Sequence, residues 1–215
     1  MMYIKLSVKR KKVRMLKRFL FTVALLSVLV VPVYSDNISE SAIYTNYGID
    51  KGELGQYFAA IQDFDKAISL DPNNANAYMY RGFVKKTLGQ NVEAIQDFDK
   101  AIQLVPNSNT LLYALRGHSK LELRHYSAAI RDYDKAISLD PNYAGAYVYR
   151  GYAKKNLRKY FEAIQDFDKA ISLDPNYAEA YMYRCDVKFQ LGQPLEAEKD
   201  CDKAIYLNPT LKKQK

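Results

Sequence analysis

Five prolines constrain this chain more than any other feature. Pro72, Pro106, Pro141, Pro175 and Pro209 follow one another at intervals of 34, 35, 34 and 34 residues. A fixed period in this range marks an array of identical supersecondary units. The copies are close, since residues 60–73 and 163–176 both read AIQDFDKAISLDPN.

Between the prolines the apolar spacing is helical. In the second unit Tyr78, Gly82 and Lys85 recur at i, i+4 and i+7, and after the break LGQN the residues Ala94, Phe98, Ala101 and Ile102 do the same. Comparable breaks fall at residues 54–57, 123–126, 157–160 and 191–194. Each unit therefore reads as two antiparallel helices. A residue before proline avoids helical backbone, so Asp71, Val105, Asp140, Asp174 and Asn208 close the second helices. Asparagine after four of the prolines suits the turn into the next unit.

One position repeats at a thermodynamic disadvantage. Gly48, Gly82, Gly117 and Gly151 lie inside predicted helices, where glycine costs about 1 kcal/mol relative to alanine. A close helix crossing would offset that cost, and the expected partner is the alanine column Ala60, Ala94, Ala129, Ala163 and Ala197.

At these residues the chain resembles the tetratricopeptide repeat, whose W-x2-L-G-x2-Y…A-x3-F…P signature is matched in five copies. The first aromatic is Tyr44, Tyr78, Tyr113, Tyr147 and Tyr181, the small residue is one of the four glycines or Cys185, and the ring after the alanine is Phe64, Phe98, Tyr133, Phe167 or, in its place, Cys201. The resemblance runs from about residue 41 to 209. It implies an all-α solenoid of five helix-turn-helix units wound as a right-handed superhelix, with units at 41–74, 75–109, 110–143, 144–177 and 178–211 and a basic tail at 212–215.

The first 35 residues follow another grammar. Eight basic residues and no acid precede the apolar run FLFTVALLSVLVV, residues 19–31, and then PVYS. A basic stretch, a short apolar run and small residues before a cut make up a secretory signal. Cleavage is expected after Ser35, leaving a short leader at 36–40, and a start at Met15 would give a more compact signal. The other reading is an uncleaved anchor, for which the fifteen residues from Phe19 to Val33 fall short of the roughly 20 that span a bilayer. Either version places the repeats outside the cytoplasm, periplasmic or secreted, and the membrane is met only through this segment if it stays uncleaved.

The same segment accounts for the net charge of +8. Without its eight basic residues, 24 basic face 24 acidic ones. The repeats thus lack the basic excess that drives phosphate binding, and nucleic acid is not an expected partner.

Several motifs invite chemistry. In each DFD, the two aspartates lie about 200° apart around a helix and cannot share one ion. Arg81, Arg116, Arg150 and Arg184 recur three residues after the first aromatic, and the unit without a predecessor has Tyr47 there. An arginine–aspartate ladder between units is the expectation, with either aspartate column as partner. Cys185 and Cys201 sit in the small and large core columns and read as buried free thiols, although export leaves a bridge open. His118 and His125 are not set among acids, so no metal site, cofactor or catalytic group is expected, and the reading is not an enzyme.

In a stack of this kind the first helices line the inner wall. The expected groove comprises Met79, Phe83, Lys86, Leu111, Leu115, His118, Val148, Tyr152, Lys155, Met182 and Phe189. Tyr80 and Tyr149 fit either the groove or packing between neighbours. The family's two-carboxylate clamp would need lysine and asparagine where Thr45, Ile49, Tyr80, Leu111 and Leu115 stand. These residues instead imply a scaffold or adaptor for an apolar or aromatic protein segment. Open alternatives are a membrane-anchored assembly factor and an enzyme subunit. Self-association through the last repeat is also open.

Overall fold

The protein is described here from a computed structural model, which describes residues 39–106 and 109–214. The expected signal segment, residues 1–35, lies outside the described residues. Ten α-helices and no strand occur among the described residues: α1 Glu40–Glu53, α2 Tyr57–Leu70, α3 Ala75–Thr87, α4 Asn91–Leu104, α5 Thr110–Glu122, α6 Tyr126–Leu139, α7 Ala144–Asn156, α8 Tyr160–Leu173, α9 Ala178–Gln190 and α10 Pro194–Leu207. A short 3-10 helix, Pro209–Gln214, follows. Consecutive helices pair into five hairpins that form a solenoid.

The phrase DPN ends the second helices of repeats 1, 3 and 4 by a local mechanism. Asp71 has extended backbone and its N–H still donates to Ala67 O, while the following proline cannot continue the helix. Its side-chain Oδ1 then accepts from Asn73 N at 2.9 Å, and Asp140 and Asp174 do the same with Asn142 and Asn176. Asn74 opens the next helix by accepting from Ala77 N at 3.0 Å.

Within each of the first four hairpins the nearest side chain to the glycine is an aromatic ring. A Cβ placed on Gly48 would lie 2.5 Å from the Phe64 ring, and one on Gly151 would lie 2.7 Å from that of Phe167. Gly82 and Gly117 face Phe98 and Tyr133 at 2.9 and 3.1 Å. The ring edge occupies the space that a methyl group on the glycine would need, so the close crossing expected at the glycine is made against the ring. All four rings and the neighbouring alanines, Ala60, Ala94, Ala129 and Ala163, are fully buried.

The fifth hairpin uses the same two positions differently. Cys185 and Cys201 form a disulfide with Cα atoms 5.4 Å apart and a sequence separation of 16. This overturns the expectation of free thiols. The small and large columns do face each other across the hairpin, so two cysteines placed there meet.

Curvature follows from which helices touch. The first helices of neighbouring repeats contact one another along the array, from α1 with α3 through to α7 with α9. Among the described residues, second helices of neighbouring repeats make no such contact. The wall formed by α1, α3, α5, α7 and α9 is therefore the inner one.

Candidate binding face

The inner wall is held in place by an ionic scaffold. Arg116 Nε and Nη2 donate to Asp132 at 3.0 and 2.5 Å, on the second helix of its own repeat, and Nη1 donates to Asp99 of the preceding repeat at 2.6 Å. Arg81 takes Asp97 and Asp65, Arg150 takes Asp166 and Asp134, and Arg184 takes Asp200 and Asp168 in the same way. Each guanidinium also lies over the tyrosine three residues before it, Tyr113 in the case of Arg116 at 5.5 Å. The expected link to the preceding repeat is present and uses the exposed aspartate column. The two-pronged contact, however, is within the repeat, where Asp132 is 5% exposed against 55% for Asp99.

A lysine column completes the scaffold. Lys85, Lys120, Lys154 and Lys188 reach the same buried aspartates at 2.7–2.8 Å, and Lys51 reaches Asp63 at 2.5 Å in the repeat without an arginine. Burial opposes the charge of Arg116, but its bonds and attraction to Asp132 and Asp99 outweigh this and raise its pKa. With these charges engaged inside the array, the inner wall is left with mostly aromatic and apolar side chains.

The structure distributes the expected groove residues unevenly. Phe83, Leu111 and Phe189 are exposed at 47, 46 and 51%. Lys86, Leu115, His118, Tyr152, Lys155 and Met182 are half-buried. Met79 and Val148 are buried, at 8 and 0%, and pack in clusters with Phe98 and Leu112 and with Ala170 and Ala180 respectively. These two are core residues: their column turns toward the junction between repeats and away from the groove. Tyr80 and Tyr149 serve both purposes. Tyr80 stacks on Phe64 and Tyr149 on Tyr133, with centroids 6.3 and 6.1 Å apart, and each also lines a hollow.

Two hollows occupy equivalent places along the wall. Between the first two repeats, Ile49, Gly52, Tyr57, Tyr80, Phe83 and Val84 line an apolar hollow of about 180 Å³. Farther along, His118, Tyr149, Tyr152 and Tyr183 line a cleft of about 510 Å³ with Leu121, Glu122, Arg124, Tyr126 and Asn156. Tyr152 and Tyr183 lie 4.9 Å apart, and Lys155 Nζ rests over both rings while pairing with Asp186 at 2.6 Å. Lys155 is therefore tied to the neighbouring repeat. Burial lowers the pKa of His118, helped by the charge of Lys86, and raises that of Tyr183 to about 12. The cleft thus presents neutral imidazole and phenol hydrogen-bonding groups at neutral pH.

Sequence reasoning passed over Glu122, Arg124, Tyr126 and Asn156 at the cleft, along with the lysine column. Arg124 carried a signal, since it replaces a glycine found in three other units at the same turn.

Comparison with known proteins agrees with this architecture. The TPR repeat family matches residues 53–89 and 117–157, and the tetratricopeptide repeat family matches residues 144–177. No protein of curated function matches the sequence. A crystal structure of MamA is similar over 77% of this chain and 96% of its own, with 27% identity and a TM-score of 0.70. YrrB, a TPR protein with an unusual peptide-binding site, is similar over 79% of this chain and 87% of its own, with 25% identity and a TM-score of 0.68. MamA from Desulfovibrio magneticus RS-1, at 20% identity over 80% of this chain and 98% of its own, shares the fold with a TM-score of 0.74.

Proposed function

The chain is a tetratricopeptide-repeat protein, and from that premise we propose that it is a non-enzymatic scaffold whose concave face holds an apolar or aromatic segment of another protein. The observation that carries this reading is the inner wall itself. Phe83, Leu111 and Phe189 remain about half exposed there although buried positions of the same helices, Val84, Leu112 and Val187, lie one or two residues away. Large apolar side chains left on a curved wall and rimmed by polar groups mark interaction surfaces. The peptide-binding site of YrrB lends the reading further support.

We place the scaffold outside the cytoplasm. The basic and apolar grammar of residues 1–35 supports this, as does the Cys185–Cys201 bridge, since structural disulfides persist in oxidising compartments. A second version keeps residues 1–35 as an anchor and makes the protein an assembly factor at a membrane. Among the described residues no helix is long and apolar enough to cross a membrane, so an anchor would reside in that segment. An N-terminal sequence beginning at Asp36 would eliminate it.

Capture of partners by the wild-type protein and by Phe83→Glu/Tyr152→Glu tests the groove. The double variant is expected to lose the partner while keeping its helical signal and melting temperature. Equal capture by both proteins would overturn the groove reading.

A further inference from the structure

The turn between the two helices of a repeat requires left-handed backbone. Gly55, Gly89 and Gly192 provide it at φ 73°, 77° and 72° in repeats 1, 2 and 5. Repeats 3 and 4 place Arg124 and Arg158 at the same point, with φ 59° and 60°. A side chain in that region is disfavoured where glycine is not. Arginine is therefore held at these turns for something other than the turn, and strain of this kind points to function when the side chain has no structural task.

Neither arginine has one. The four ladder arginines are each bound to two aspartates, whereas Arg124 and Arg158 are exposed and form no ion pair among the described residues. Their surroundings differ. Arg124 lines the cleft of repeats 3–5 beside Tyr149, Tyr152 and Tyr183, and Arg158 does not.

The other charges of the cleft leave Arg124 over. Glu122 is the one carboxylate among the lining residues. Lys86, half-buried and without an ion pair among the described residues, is its electrostatic neighbour, and the neutral His118 ring lies 3.9 Å from it. Lys155 and Asp186 neutralise each other. One guanidinium thus remains unmatched at the edge of a hollow walled by tyrosine.

We propose that this cleft receives an acidic segment of a partner protein, a glutamate or aspartate side chain pairing with Arg124 while an adjacent aromatic or apolar side chain lies on Tyr149, Tyr152 and Tyr183. The proposal rests on the groove reading above and narrows it. A carboxylate matches the planar guanidinium with two parallel hydrogen bonds, and the rings supply contact area at little entropic loss. The hollow of repeats 1 and 2, with Ile49 and Phe83 in place of His118 and Tyr152, would take an apolar part of the same segment.

The test uses the full chain and fluorescence anisotropy with a fluorescein-labelled peptide, Gly-Ser-Glu-Phe-Glu-Tyr-Glu-Gly-Ser, and its counterpart with glutamine for glutamate. The glutamate peptide is expected to bind at least ~10-fold tighter at low salt, with the preference fading as salt rises. Arg124→Gly should reduce its affinity to that of the glutamine peptide while leaving the melting temperature equal or higher. Arg158→Gly should share the thermal behaviour and keep the affinity. Wild-type affinity in Arg124→Gly, or no binding of the glutamate peptide, would overturn the proposal. Equal, Tyr152-dependent binding of both peptides would also overturn it while leaving the groove reading intact.

Discussion

Cys185 and Cys201 are bonded at the two positions where the four preceding repeats press a glycine against an aromatic ring. The last hairpin thus closes with a covalent link where the others close by packing. Its loop of sequence separation 16 implies a stabilisation of about 3 kcal/mol by restriction of the unfolded chain.

Reduction should therefore lower the melting temperature, by about 2–4 °C for each kcal/mol in a chain of this size. Thermal circular dichroism with and without reductant measures this. The substitution Cys185→Gly/Cys201→Phe, which writes the contact of the other repeats into the fifth, should make melting insensitive to reductant. An unchanged melting curve on reduction of the wild type would remove the bridge from the structural account.

The glycine sockets leave no room for larger side chains. Gly117→Leu must displace the Tyr133 ring, which already lies 3.1 Å from where a Cβ would stand, and should destabilise by about 1–3 kcal/mol or more. Phe98→Ala, which empties the corresponding socket in repeat 2, should cost about 3–5 kcal/mol. Urea denaturation of the two variants gives both values.

The ladder can be dissected at Arg116. Removal of Asp132 strands a guanidinium and Lys120 around a buried site and should cost about 3–5 kcal/mol. Removal of Asp99, an exposed partner, should cost only about 0–1 kcal/mol. Double-mutant cycles of Arg116 with each aspartate should show the larger coupling with Asp132. Equal couplings would mean that the bond to the preceding repeat is as strong as the one within the repeat.

Acid should weaken the last hairpin through Asp200. Burial opposes the charge of Asp200, but bonds and attraction from Arg184 and Lys188 prevail and hold its pKa below the ordinary 3.8. A carboxyl whose folded pKa is depressed contributes stability that is fully present above its unfolded value. The contribution is lost as pH falls below 3.8 through the folded value. Asp200→Asn should therefore lower stability at neutral pH and flatten the acid limb of the stability curve. A steep acid limb unchanged in that variant would assign it to other groups.

Much of this was legible in the sequence, because a stack repeats its contacts at the period of its letters. The proline spacing placed all ten helices, and the arginine missing from the first repeat announced a bond to a predecessor. The lysine column was equally open to reading, since Lys51, Lys85, Lys120, Lys154 and Lys188 each stand seven residues after the first aromatic. The cysteine pair shared its separation of 16 with Gly48 and Phe64. What the letters did not separate was groove from junction. Val148 and Tyr149 are neighbours in sequence, yet one is sealed between helices and the other reaches the cleft. A rotation of about 100° decides between them, and it depends on how closely two first helices approach.

The ladder has one more implication, for chain length. Because every arginine finds its outer aspartate one hairpin back, removal of residues 110–143 would hand Asp99 from Arg116 to Arg150 with the chemistry unchanged. Duplication of a unit would work equally well. An ancestor could thus have lengthened or shortened by whole modules, with each new seam already equipped to close.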